Sequence, residues 1–181
     1  EYSYGIKTLV EAERLKRHLH AQLIAEHNPD LNYIIVGGGP TGIELAGNLG
    51  VYLREIMKRH GIEHRVPHID LVEAQPSLMP RLPKHVGRAI ARRLRRLGVR
   101  LYLNSRVEGA DAEGLTVSGK PISSHTIIWT AGIANNTFFE ANAFAVSPRH
   151  KVEVDEFLRA GKNVYVIGDN AETKFSGMAQ T

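Results

Sequence analysis

Residues 33–46 read YIIVGGGPTGIELA. Tyr33 to Val36 is a short apolar run of strand type. It meets Gly37-Gly38-Gly39-Pro40-Thr41-Gly42 and passes directly into a helical pattern. Ile43, Leu45, Ala46, Leu49, Leu53 and Ile56 carry that pattern, with Gly61 as its stop signal. A strand, a Gly-x-Gly-x-x-Gly turn and a helix without a gap form the unit that cradles a dinucleotide pyrophosphate. Each glycine has its own reason. Gly37 allows the tight exit from the strand, Gly39 lets the main chain approach the phosphates, and Gly42 lets the helix pack closely on the strand. Unpaired amides and the positive end of the helix dipole then face the phosphate charge. Pro40 suits a helix start, where a missing N–H costs nothing.

The next strand decides which nucleotide. An acid at its end accepts hydrogen bonds from the adenosine ribose and repels a 2′-phosphate. Glu73, closing the run IDLVE, stands there, so the reading favours NADH over NADPH. Its distance from the glycines exceeds the usual spacing of roughly 20 residues because a long helix and the 61–67 loop intervene. Arg81 is the nearest base downstream and the residue that would argue for a phosphate. Glu44, placed on the first turn of the phosphate-facing helix, either complements the helix dipole or reaches the nicotinamide carboxamide. Spacing leaves both open.

Outward from this unit the chain alternates helices and strands. Leu9, Ala12, Leu15, Leu19 and Leu23 mark an amphipathic helix over Lys7–Glu26. Ile69–Val72, Val99–Leu103 and Thr126–Trp129 are strand candidates, with Trp129 read as core. Pro76, Pro80 and Pro83 exclude regular structure up to about residue 83. A basic helix follows, with Val86, Ile90, Leu94 and Leu97 as its buried stripe and Gly98 as its end. Gly109, Gly114 and Gly119 punctuate a β-meander over residues 104–124. After a loop region, Val152–Val154 and Asn163–Ile167 are the last strand candidates. The fold class is therefore α/β, a Rossmann-like domain with a mainly parallel sheet.

The chain has 181 residues, 43% hydrophobic and 23% charged, as in globular domains. No stretch approaches the roughly 18 apolar residues of a membrane-spanning helix. The absence of cysteine excludes disulfides, thiolate metal sites and a dithiol redox centre within the chain. Much of the +4 charge sits between Arg81 and Arg100, without an acid in that stretch. The stripe is read as the solvated face of a helix rather than a nucleic-acid or membrane surface, since no aromatics interleave it. His60, His64 and His68 recur every four residues, but Gly61 and Pro67 break the helix that would make them a metal face. No catalytic triad and no HExxH motif is present, so no metal site and no catalytic side chain is assigned.

Four patterns line up in order: IVGGGPTGIELAG (35–47), LVEAQPSLMP (71–80), IIWTAGI (127–133) and NVYVIGDNA (163–171), followed by Gly177-Met178-Ala179-Gln180-Thr181. Together they resemble the type II, non-proton-pumping NADH dehydrogenases of the two-dinucleotide-domain flavoprotein reductases (the pyridine nucleotide-disulfide oxidoreductase superfamily). The resemblance implies an NADH domain inserted into an FAD domain. Residues 1–28 would be a helix and linker from the FAD domain, 29–135 the NADH domain and 136–181 a partial return to the FAD domain. The implied activity is hydride transfer from NADH to FAD and electron transfer on to a quinone in a respiratory chain. The implied cofactor contacts are Gly37, Gly38, Gly39, Pro40, Thr41, Gly42, Glu44 and Glu73. Ala131 and Gly132 would lie beside the nicotinamide, and Gly168, Asp169, Ala179 and Gln180 along the flavin. The resemblance further implies that the flavin domain's own N-terminal glycine motif and a membrane-associating C-terminal part lie outside these 181 residues. The expectation is a fragment that binds NADH but does not hold flavin well or turn over unaided. The full protein would lie peripherally at the cytoplasmic face of the cell membrane, with room for a homodimer. A ferredoxin or rubredoxin reductase-like flavoprotein and a non-catalytic NADH sensor are the competing readings.

Overall fold

The computed structural model describes residues 3–25, 30–80, 82–132 and 137–173. The chain divides into two compact units, Glu1–Ala131 and Gly132–Thr181.

In the first unit α1 (Leu9–Ala25) precedes β1 (Asn32–Val36), α2 (Pro40–His60), β2 (His68–Val72), α3 (Lys84–Arg96) and β3 (Val99–Tyr102). A meander follows, β4 (Val107–Ala110), β5 (Gly114–Val117) and β6 (Lys120–Ser123), and β7 (Thr126–Trp129) closes the unit. The main sheet has the order β3-β2-β1-β7, with every pair parallel. Tyr4 adds a parallel bridge to Ile128 outside β7. The chain thus leaves β1 toward β2 and β3 on one side and returns to β7 on the other. The crevice between the carboxyl ends of β1 and β7 is the point of reversal where open α/β sheets bind ligands.

Three layers follow from the two-residue period of the strands. Tyr33 and Ile35 of β1 and Ile69 and Leu71 of β2 point into one core with Leu15, Leu19 and Leu23 of α1, Leu49 and Leu53 of α2 and Leu94 of α3. Ile34, Val36, Val72 and Ile127 point the other way, against Leu115 and Val117 of β5. Helices therefore cover one face of the sheet and the meander covers the other.

Gly61 at φ +65° ends α2 and Gly98 at φ +88° follows α3, as the sequence predicts. The buried side of α3 is Gly87, Ala91 and Leu94, with Val86, Ile90 and Leu97 only half-buried. The predicted stripe is rotated because Gly87 sits so near the Leu78 carbonyl that a Cβ would lie 2.5 Å from it. Arg88, Arg92, Arg93, Arg95 and Arg96 are exposed. Arg100 is a different case. Its Nε and Nη2 donate to Asp70 Oδ1 and Oδ2 at 2.6 and 3.0 Å, and Asp70 is 1% exposed. That bidentate bond with the carboxylate raises the Arg100 pKa above its ordinary value.

At the start of α1, Thr8 and Glu11 form a reciprocal cap. Thr8 N–H and Lys7 N–H donate to Glu11 Oε2 at 2.8 and 2.9 Å, and Glu11 N–H donates to Thr8 Oγ1 at 3.2 Å. Hydrogen bonds from the Thr8 backbone and hydroxyl, and from Lys7, hold the Glu11 carboxyl below its usual pKa. A depressed acid stabilises the fold above its unfolded pKa, and that contribution is lost as pH falls through the folded value. Thr8→Ala is expected to lower stability by about 1 kcal/mol near neutral pH. The gap from the parent should narrow in acid, once the carboxyl is protonated, which thermal melts across a pH series will read.

In the second unit, α4 (Phe138–Ala141) is followed by β8 (Val152–Glu153), β9 (Arg159–Gly161), β10 (Val164–Tyr165), a 3-10 turn at Gly168–Asn170 and β11 (Ala171–Glu172). β8 pairs parallel with β11, and β9 antiparallel with β10. The predicted strand 163–167 is thus shorter, and the predicted loop region before Val152 contains a helical turn. Val152, Val166 and Ala171 form the core of this unit, packed by Phe139, Phe144 and Val146.

Candidate functional site

The glycine turn lies at the carboxyl end of β1. Gly37 N–H donates to Val72 O at 2.8 Å and Thr130 N–H to Val36 O at 2.9 Å, so both neighbouring strands hold it. Gly37 has φ +112°, and a Cβ there would lie 2.8 Å from Ala131 N and 2.9 Å from its Cα. Ala131 and the first glycine are thereby placed together. At Gly42 a Cβ would lie 1.9 Å from Gly37 O and 2.8 Å from Thr130 Oγ1, which is the close helix–strand packing the motif predicts.

Gly39 is different. It is exposed, its φ and ψ of −78° and −178° are ordinary extended values, and a Cβ would meet no protein atom within 4 Å. It is the N-cap of α2, Pro40 is the first helical residue, and no side chain caps the helix. Open space therefore stands before the uncapped amides of the first turn, Thr41 and Gly42 among them. A helix start of this kind suits a phosphate.

Glu73 follows β2 directly. Its Oε2 accepts from Gly38 N–H at 2.6 Å and its Oε1 from Gln75 N–H at 2.7 Å. Two main-chain donors fix the carboxylate beside the glycine turn, while an ionised carboxylate offers about four acceptor positions in all. Leu78 packs beneath: a Cβ on Gly38 would lie 2.6 Å from Leu78 Cδ2 and 2.9 Å from Glu73 Oε2.

Gly37, Gly38, Gly39, Pro40, Thr41, Gly42, Glu73 and Ala131 thus gather at one edge of the sheet. Glu44 needs correction. The helix begins at Pro40, so Glu44 is its fifth residue, exposed on the second turn, and the first turn carries no acid. The dipole reading of Glu44 weakens accordingly, because that effect is confined to the first turn. Trp129 is also corrected. It is 38% exposed at the carboxyl end of β7, and its Nε1–H donates to Ala131 O at 2.9 Å. It is a wall of the site edge rather than core.

The other assigned positions belong to the second unit. Gly132 opens it with φ +78°, and Gly168 (φ +68°) and Asp169 are exposed on the 3-10 turn. Ala179, Gln180 and Arg81 lie outside the described residues. The sequence reading missed Thr130. Its Oγ1–H donates to Val36 O at 2.8 Å and lies 3.2 Å from Gly37 O, pinning the turn to β7. A threonine directly before Ala131-Gly132 was the available signal. Among the described residues no group of three or more metal-ligating side chains occurs, and no helix is long and apolar enough to cross a membrane.

Residues 2–181 match the family described as pyridine nucleotide-disulphide oxidoreductase. The chain belongs to this family. Among curated relatives, it is 30% identical to the type II NADH:quinone oxidoreductase Ndh of Mycobacterium tuberculosis, over 99% of this chain and 44% of that protein. It is 24% identical to the type II NADH:quinone oxidoreductase of Staphylococcus saprophyticus, over 93% of this chain and 45% of that protein. The chain spans less than half the length of these relatives. In fold it is similar to NDH2 of Plasmodium falciparum, solved in complex with NADH, with a TM-score of 0.82 and 22% identity over 94% of this chain and 40% of that one. The water-forming NADH oxidase of Lactobacillus brevis, solved bound to NADH, gives a TM-score of 0.71 and 19% identity over 94% of this chain and 35% of that one. The Rossmann-like α/β fold expected from the sequence is the fold found.

Proposed function

We propose that this chain is the NADH-binding part of a flavin-dependent NADH:quinone oxidoreductase. The observation that carries the reading is the uncapped start of α2 behind an open Gly39, with the Glu73 carboxylate fixed beside it. In this reading the amides of Thr41 and Gly42 take the pyrophosphate, while the Gly38 amide holds Glu73. Glu73 accepts from the adenosine ribose hydroxyls through its remaining lone pairs, and its charge repels a 2′-phosphate. Ala131 and Gly132 are assigned to the nicotinamide as small residues, and Glu44 to its carboxamide. Gly168, Asp169, Ala179 and Gln180 are assigned to the flavin. When bound, the two cofactors supply the redox chemistry, a hydride from the nicotinamide to the flavin and electrons on to a quinone. The chain's residues bind and orient; no acid–base or nucleophilic side chain is required of them.

The names of the relatives support quinone as acceptor, and the family fits FAD as partner cofactor. The whole protein is proposed to sit peripherally on the inner face of the cell membrane, with homodimerisation as part of the same proposal.

Parallel calorimetric titrations with NADH and NADPH test the reading. NADH is expected to bind at least about tenfold more tightly than NADPH, the equivalent of about 1.4 kcal/mol. Glu73→Gln, which removes the charge, is expected to narrow that preference by about tenfold. Binding of NADPH with none of NADH would overturn the assignment.

A further inference from the structure

The two histidines His20 and His60 meet at the end of the helical layer remote from the glycine turn. His20 lies in α1 and His60 is the last residue of α2, and both are exposed. Their Nε2 atoms are 3.3 Å apart, their ring centres 5.1 Å apart, and their planes cross at 76°. The two nitrogens therefore stand on the facing sides of the rings. We infer that this pair is a Zn2+ site, with two imidazole ligands from two helices and water completing the sphere.

Two imidazole nitrogens about 2.05 Å from one Zn2+, at a tetrahedral angle, lie about 3.3 Å apart with ring centres about 5.2 Å apart. Both values match the pair. At the right angle preferred by six-coordinate or square-planar ions, the same separations fall to about 3.0 Å and about 4.6 Å. The separations are therefore those that a four-coordinate ion would hold between the two rings.

Chemistry narrows the ion further. Lys16 and Arg17, one turn before His20 on α1, and Lys58 and Arg59, beside His60 on α2, oppose a hard cation held by charge alone. Glu55 takes up part of the Arg59 charge at 3.8 Å. Imidazole favours Zn2+, Cu2+ and Ni2+ over Mg2+ and Ca2+, and the tetrahedral angle selects Zn2+ among these. Among the described residues no third His, Cys, Asp or Glu joins the pair. The ion would tie α1 to the far end of the helix that begins at the phosphate turn. It would stabilise the fold without touching the dinucleotide site.

The test uses the untagged chain and ZnCl2 near pH 7.5. Calorimetry is expected to show one Zn2+ bound per chain, and Zn2+ should raise the thermal midpoint. His20→Gln and His60→Gln, both at exposed positions, should each weaken binding by at least about tenfold and abolish the thermal shift. Co2+ in place of Zn2+ should give the strong visible absorption of a four-coordinate ion. Either variant binding Zn2+ as the parent does, or no one-to-one binding below about 1 mM, would overturn the site. A six-coordinate Co2+ spectrum would overturn its geometry.

Discussion

Gly39→Asp is expected to abolish measurable NADH binding while leaving the chain as stable as the parent, or slightly more so. The two effects have separate causes. Gly39 has an extended backbone conformation open to any residue, and a Cβ there meets no protein atom within 4 Å. Nothing in the fold resists the substitution. An aspartate at an uncapped helix start accepts hydrogen bonds from the first-turn amides, which is worth a few tenths of a kcal/mol over glycine. Those amides are the ones assigned to the pyrophosphate. The new carboxylate would occupy their donors and place a negative charge against the incoming phosphates. Losing two hydrogen bonds to a charged group costs about 3–6 kcal/mol, a fall in affinity of at least about 100-fold. A melt and a titration on the same sample separate the outcomes. Parent-like NADH affinity in a folded Gly39→Asp chain would remove the dinucleotide from this turn.

What could be read from the sequence here is what local pattern dictates. The strand–glycine–helix unit, the stops at Gly61 and Gly98, and the meander set by Gly109, Gly114 and Gly119 each follow from neighbours within a few residues. Glu44 was read onto the first turn although Pro40 already marked the helix start; counted from Pro40 it is the fifth residue and stands on the second turn. Trp129 closes an apolar run, yet it stands at the sheet's end, where burial stops; a period cannot reveal where a sheet ends. The Asp70–Arg100 pair depends on the register of β2 against β3, which sets those residues opposite each other 30 positions apart in sequence. The second unit is harder still. Its strands are two or three residues long, and Val152–Glu153 finds its partner at Ala171–Glu172. Segments that short carry no periodicity and exist only through distant pairing.

The same helix offers a second test in which the sign of the effect is the result. Glycine in a helix interior is ordinarily worse than alanine by about 1 kcal/mol, so Gly→Ala should stabilise. Gly47 meets that expectation: a Cβ there would touch only Leu94 Cδ2, at an ordinary 3.9 Å. Gly47→Ala is expected to be neutral or to stabilise by up to about 1 kcal/mol. At Gly42 the Cβ would lie 1.9 Å from the Gly37 carbonyl oxygen, a main-chain atom held by β1 and β7. No rotamer change relieves that contact, so α2 must move away from β1 or the turn must open. Gly42→Ala is therefore expected to destabilise by about 2–4 kcal/mol. At this chain length that lowers the thermal midpoint by about 5–15 °C. NADH affinity should fall with it, because the displaced first-turn amides are the ones assigned to the phosphates. Saturating NADH would then recover little of the lost midpoint. If Gly42→Ala melted with Gly47→Ala, the close helix–strand contact at the head of α2 would not exist. Affinity at Gly39 would then have to come from something other than main-chain amides brought up against the strand.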